Sequence, residues 1–195
     1  MELNLKGKRA LITGGSKGIG LAIKKALEAE GVIVTSWSRT EGVDLMRELP
    51  SELPNIDILI NNFGGGGTWK QEDYKQVMHN NYFVTNELTM RFLEQNKLWG
   101  RVITISSIYG TYAGHNAAFT SAKSAQIMLM KSLAQQHKGI TFNCVSPAEV
   151  SDAGTPKKVN LKAQDVANLV VFLCSEKALN ISGQNIVIGE CNNAI

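Results

Sequence analysis

Cysteine, histidine and charge of one sign are all scarce in this chain, and each scarcity removes a class of function. Only three of the 195 residues are cysteine, and Cys144, Cys174 and Cys191 lie far apart without a CxxC pair. An odd number of dispersed thiols, two of them in apolar runs, predicts buried reduced side chains, not a disulfide framework or a redox pair. The histidines, His79, His115 and His137, are equally scattered, so no metal-ligand spacing arises. The formal net charge is a mild +3, with no lysine–arginine cluster of the kind that grips a nucleic acid. No apolar run approaches the length of a membrane span. The opening residues, Met1-Glu2-Leu3-Asn4-Leu5, have no signal-peptide layout. Together these features predict a cytoplasmic protein without nucleic-acid or membrane partners. No Pro- or Ser-rich linker and no internal repeat interrupts the sequence, and its length suits one hydrophobic core. Residues 1–195 are therefore expected to form a single domain.

What is present is an alternation of short β-branched runs with helical stretches. That pattern predicts an α/β fold: a doubly wound, mostly parallel sheet with helices on both faces. Strands are expected at Lys8 to Ile12, Val32 to Ser36, Ile56 to Ile60, Arg101 to Ile105, Ile140 to Val145 and Gln184 to Ile188. Helices are expected at Ile19 to Glu30, Glu72 to Gln95 (with a break), Ala117 to Gln136 and Ala163 to Leu173.

Between the first strand and first helix lies Thr13-Gly14-Gly15-Ser16-Lys17-Gly18-Ile19-Gly20. Gly14 permits a tight turn, while Gly18 and Gly20 let backbone and helix approach a pyrophosphate closely. The helix N-terminus offers unpaired N–H groups and partial positive charge to the phosphates. This strand–turn–helix setting makes the run a dinucleotide-binding turn, with Ser16 and Ile19 among its contacts. The end of the second strand selects the dinucleotide. A carboxylate there would bond the ribose 2′-hydroxyl of NAD, but no acid occurs between Gly31 and Thr40. Arg39 offers a planar fork for a 2′-phosphate, Ser38 and Thr40 offer neutral donors, and Lys17 supplies a second cation. The expected cofactor is NADP(H).

From these motifs the chain resembles the short-chain dehydrogenases/reductases. Their TGxxxGxG turn matches Thr13 to Gly20, and their NNAG motif matches Asn61-Asn62-Phe63-Gly64. Their catalytic serine, two places past a strand, matches Ser107, and the lysine of their YxxxK pair matches Lys123. Asn143 to Pro147 is similar to the strand that leads into the family's Pro-Gly, and Asp44-Leu45 to its adenine-contacting Asp-Val. The resemblance implies further cofactor contacts from Asn62, Phe63, Gly64, Lys123, Pro147, Val150 and Ser151. It implies that Ser107 orients a substrate carbonyl and that Lys123 grips the nicotinamide ribose. A helix asparagine supporting a water relay falls within Val77 to Tyr82; the flanking residues favour Asn81, with Asn80 the alternative. Helices 72–95 and 117–136 match those that pair between subunits in similar enzymes, which implies a homodimer or homotetramer.

The chain departs from this family at its centre. Phe119 stands at the proton-donor position, four before Lys123, where the family has tyrosine, and a phenyl ring can neither give nor take a proton. Tyr109, Tyr112 and His115 lie nearby in sequence as replacements. Pro147-Ala148 replaces Pro-Gly, and Phe63 replaces a small residue. The stretch from Ser151 to Pro156 is short for a substrate lid, and residues 39–44 leave little room for a third helix and full third strand. The expected activity is hydride transfer between NADP(H) and a small-molecule carbonyl or alcohol. The competing expectation is an NADP(H)-binding sensor or partner subunit without turnover.

Overall fold

The computed structural model describes residues 2–65, 74–96, 98–114, 116–151 and 160–189; His115, Cys191, the first two positions of the expected 72–95 helix and all of the expected lid stretch but Ser151 lie outside them. Six strands, β1 (Arg9–Thr13), β2 (Ile33–Trp37), β3 (Ile58–Asn61), β4 (Gly100–Ile105), β5 (Ile140–Pro147) and β6 (Asn185–Ile188), form one sheet in the order β2-β1-β3-β4-β5-β6. Every neighbouring pair is parallel. All strands therefore end on the same edge, and the order reverses direction beside β1, where a crevice opens in folds of this kind.

The helices are α1 (Gly18–Ala29), α2 (Tyr74–Met78), α3 (Val84–Gln95), α4 (Ala117–Gln136) and α5 (Ala163–Cys174). Strands covered on both faces must be apolar on both, and successive residues of β1 show it: Ile12 faces one layer and Leu11 the other. On the first side Ile23 and Leu27 of α1 and Val166 and Val170 of α5 pack over Ile12, Ile103 and Val145. On the second, Leu88 and Phe92 of α3 and Ile127 and Met130 of α4 pack over Leu11, Leu59, Val102 and Phe142. Cys144 and Cys174 are free thiols buried in these layers.

The expected elements appear with bounds shifted by one or two residues, and two irregularities matter for the site. The break in the 72–95 helix is a π turn over His79–Phe83. Thr85 Oγ1 donates to the Asn81 carbonyl at 2.8 Å, and the Gln126 side-chain amide, arriving from α4, donates to the same carbonyl. Side-chain donors inserted into the helical ladder pull a carbonyl out of register, which is a recognised cause of such turns. The second irregularity follows β2. A single 3₁₀ turn, Arg39–Glu41, ends at Gly42 in a left-handed conformation (φ +83°), and no helix intervenes before β3. Leu45, Leu53 and Ile56 from this connection fill the core beneath it. β2 is consequently an edge strand, and Ile33 is 63% exposed there.

Candidate functional site

A cleft of about 1150 Å³ runs along the C-terminal edge of the sheet. It begins at the β1–α1 turn. Gly14 has φ +71° and Gly18 φ +53°, conformations that only glycine adopts without strain. A Cβ at Gly20 would lie 2.2 Å from the Gly14 carbonyl oxygen, so the helix can come this near only without a side chain. α1 begins without a side-chain cap, which leaves its first N–H groups directed at the cleft. Lys17 lines the cleft here as an exposed side chain.

The next wall comes from the end of β2 and the turn after it. Trp37, Ser38, Arg39 and Thr40 line it, and Val43, Asp44, Leu45 and Met46 continue it. Neither Lys17 nor Arg39 has a side-chain ion-pair or hydrogen-bond partner among the described residues. Two unpaired cations flanking an uncapped helix N-terminus suit a polyanion, and the apolar Val43–Leu45 wall suits an aromatic base. The residues present thus fit a phosphorylated dinucleotide.

At the far end stand Ser107, Phe119 and Lys123. Ser107 follows β4, and its Oγ accepts a hydrogen bond from the Tyr109 N–H at 3.2 Å. Its own hydrogen is therefore available to an acceptor in the cleft. Lys123 is placed by α4, which is capped by Asn116 Oδ1 accepting from the Phe119 N–H at 3.0 Å. Lys123 is buried, and its Nζ donates to the Ile105 carbonyl at 2.9 Å. Ser106 Oγ donates to the Lys123 carbonyl at 3.0 Å, which ties the helix to the strand end. The Phe119 ring lies with its centroid 5.5 Å from Lys123 Nζ. No tyrosine is among the described residues lining this cleft. Burial pushes the Lys123 pKa down to about 8, against a smaller opposing influence from Cys144.

Of the eighteen-position cofactor set read from the sequence, the cleft wall gathers every member but two. Val150 is buried among α5 residues, and Ser151 turns its Oγ to the Leu161 carbonyl at 3.1 Å. Asn81 is fully buried behind the wall, not on it. Its Oδ1 accepts from the Gly65 N–H at 3.0 Å, and its Nδ2 donates to the Gly65 and Val77 carbonyls at 2.9 and 2.8 Å. Asn80 does line the cleft. Two residues that the sequence reading passed over are brought to the site. Glu41 folds back on Ser36 and Ser38, and Gln126 reaches Asn81 and Thr85. Gln126 had a visible signal, since it is a polar residue three places after Lys123, on the same side of the helix, and stands between Ala125 and Ile127.

A stability measurement tests the state of Lys123. Its folded pKa of about 8 lies below its ordinary 10.5, so between these values the unfolded chain binds more protons and stability rises with pH. Below pH 8 the cost of burying the cation is full and constant. Relative to Lys123→Met, the unaltered protein should therefore gain up to about 3 kcal/mol between pH 8 and 10.5 in urea unfolding. A difference that stays flat over this range would show an ordinary lysine.

Comparison with known proteins agrees with this geometry. The profile of the short chain dehydrogenase family matches residues 34–164. The chain is 31% identical over 236 residues to the 3-oxoacyl-(acyl-carrier-protein) reductase FabG of Escherichia coli, covering 94% of this chain and 96% of that protein. It is 29% identical over 239 residues to carbonyl reductase (NADPH) 2 of Sus scrofa, covering 96% and 97% respectively. Both alignments are longer than the 195 residues of this chain, so they cross deletions. Among solved structures, a short chain dehydrogenase of Burkholderia cenocepacia in complex with NADP superimposes with a TM-score of 0.82 at 24% identity, covering 95% of this chain and 97% of that one. A short-chain dehydrogenase/reductase of Serratia marcescens gives 0.81 at 26%, covering 94% and 97%. With its parallel sheet, glycine turn and serine–lysine pair along one cleft, the chain belongs to the short-chain dehydrogenase family of oxidoreductases.

Proposed function

We propose that this chain binds NADP(H) and reduces a small-molecule carbonyl, or oxidises the matching alcohol, at the Ser107–Lys123 end of the cleft. One observation carries the reading. One continuous cleft joins an uncapped helix N-terminus, two cations unpaired among the described residues, a serine hydroxyl and a buried lysine. The relatives named for carbonyl substrates and NADPH supply the substrate class and the cofactor.

When bound, the nicotinamide supplies or accepts the hydride. The chain's own residues position and polarise. The α1 N-terminus and Lys17 would hold the pyrophosphate, Arg39 the 2′-phosphate, and Lys123 the nicotinamide ribose. Ser107 donates to the carbonyl oxygen, whose negative charge grows as reduction proceeds. Asn81, clamped on the Gly65 peptide, holds the glycine loop at the cleft mouth. Phe119 keeps the shape of the proton-donor site without its hydroxyl, so protonation is the weakened step. Residues 1–195 act as a single domain, and the exposed Phe83 and Met128 (53% and 59%), on the π turn and α4, support a symmetric homo-oligomer through these helices. Light scattering at micromolar concentration should give a multimeric mass, and a monomer would remove that part of the reading.

Cofactor choice is tested by titration. NADPH should bind more tightly than NADH, and Arg39→Asp should narrow or reverse the preference at a cost of about 1.5–3 kcal/mol to NADPH. Equal loss of both cofactors would place Arg39 outside the 2′-phosphate contact.

Chemistry is tested by Phe119→Tyr, which sets a phenol beside Lys123 and next to a carbonyl held by Ser107. A nearby cation favours the phenolate and brings the hydroxyl toward neutral working pH. Turnover against a panel of aldehydes and ketones should rise by roughly 10²–10⁴-fold, with NADPH affinity nearly unchanged. A folded, NADPH-binding variant that gains nothing would instead leave a cofactor-binding protein without turnover.

A further inference from the structure

Glu41 ends the 3₁₀ turn after β2 and folds its carboxylate back beneath that turn. Oε2 accepts from Ser36 Oγ at 2.6 Å and from Ser38 Oγ at 2.5 Å, while Oε1 accepts from Lys24 Nζ at 3.2 Å. Burial works against ionisation, but the Ser36, Ser38 and Lys24 hydrogen bonds outweigh it and hold the carboxyl below its ordinary range. It is a carboxylate at neutral pH.

An ionised carboxylate only accepts hydrogen bonds, so the hydroxyl hydrogens of Ser36 and Ser38 both point at Glu41. This settles the direction of the neighbouring bond between Ser38 Oγ and Thr40 Oγ1, 2.9 Å apart. Ser38 has already given its hydrogen, so Thr40 donates and Ser38 accepts. Ser38 and Thr40 line the cleft beside Arg39, yet both present only lone pairs to it. A phosphate dianion is an acceptor and finds no donor in either hydroxyl. A ribose hydroxyl is a donor and finds an acceptor. Any oxygen bonded to Ser38 from the cleft would also lie within roughly 5 Å of the Glu41 charge.

We propose that Glu41 is a specificity-determining residue that turns Ser38 and Thr40 into acceptors and narrows the preference for a 2′-phosphorylated dinucleotide, so that NADH binds this cleft as well. Arg39 and Lys17 attract the 2′-phosphate, Glu41 opposes them from behind the wall, and Lys24 neutralises part of the opposition. The inference rests on the reading of the cleft as an NADP(H) site.

Isothermal titration with NADPH, NADH, 2′,5′-ADP and 5′-AMP separates the cases. Glu41→Gln removes the charge, and its amide can donate to Ser38, which frees that hydroxyl hydrogen for the cleft. NADPH and 2′,5′-ADP should then bind about three- to tenfold more tightly, as expected for removing one charge near a phosphate across a solvated gap. NADH and 5′-AMP should stay within about twofold. Lys24→Met, which leaves the Glu41 charge without its cation, should weaken NADPH and 2′,5′-ADP alone. The two substitutions move affinity in opposite directions, an outcome that general damage to the turn would not produce. Weaker NADPH binding by Glu41→Gln, or an equal change in all four ligands, overturns the role of Glu41 while leaving the NADP(H) reading intact. An unaltered protein that binds neither dinucleotide overturns both.

Discussion

Thr13 and Asn62 tie together the ends of the two strands between which the cleft opens. The Thr13 hydroxyl donates to the Ile60 carbonyl at 3.3 Å and accepts from the Asn62 and Phe63 N–H groups at 3.0 and 2.9 Å. Asn62 Nδ2 returns the connection to the Thr13 and Gly14 carbonyls at 3.0 and 3.1 Å. Each such bond contributes about 1 kcal/mol, but breaking one partner would strand several polar groups at a crowded strand end. The arrangement has a steric condition as well. A Cβ at Gly20 would fall 2.6 Å from Asn62 Nδ2, so the helix dipole reaches the phosphate position only while this glycine is bare. The height of the Phe63–Gly65 segment and the start of α1 both follow from this one connection.

The other end of the cleft depends on a comparable connection between β4 and α4. Ser106 and Lys123 exchange bonds with one another's backbone surroundings, and Ser124 Oγ reaches the Gly110 carbonyl at 2.9 Å. A Cβ on Gly110 would approach the Lys123 carbonyl carbon to 2.9 Å, so the serine loop lies directly on the helix. Ser107 and Lys123 are thereby held by rigid elements, which preserves reacting geometry better than a loop would. Between the two ends, the Asn81 clamp on Gly65 and the Gln126 bond to Asn81 link α4, the π turn and the glycine loop.

Much of this was legible in the residues because the signals were local. The glycine turn, Asn61-Asn62, the β4 run into Ser107 and the four-residue spacing from Phe119 to Lys123 each sit within a few positions of one another. Strands such as β1 and β3 were legible because burial on both faces demands apolar runs, and the more exposed β2 and β6 because β-branched residues recur in them. The long-range pairings were not. Nothing in the sequence says that Glu41 returns to Ser36 and Ser38, since the fold-back depends on the 3₁₀ turn and on Gly42 taking φ +83°. An acid placed one residue beyond the stretch read as carboxylate-free therefore arrives behind the ribose wall. The break in the 72–95 helix was visible as a pair of asparagines, but its π character depends on Gln126, whose donor arrives from another helix.

Phe119 puts a ring without a hydroxyl beside the buried Lys123. The phenyl ring lies with its centroid 5.5 Å from Lys123 Nζ, and both residues line the cleft with Ile105 and Ser106. Burial lowers the lysine's pKa to about 8, an effect that needs no hydroxyl on the neighbouring ring. The same burial and the bond to the Ile105 carbonyl fix the Lys123 Nζ at the Ser107 end of the cleft. On the proposed reading, cofactor positioning and carbonyl polarisation would rest on groups that are present, whereas the phenyl ring of Phe119 has no proton to give. On that reading binding and protonation are separable because they would belong to different atoms of one rigid frame.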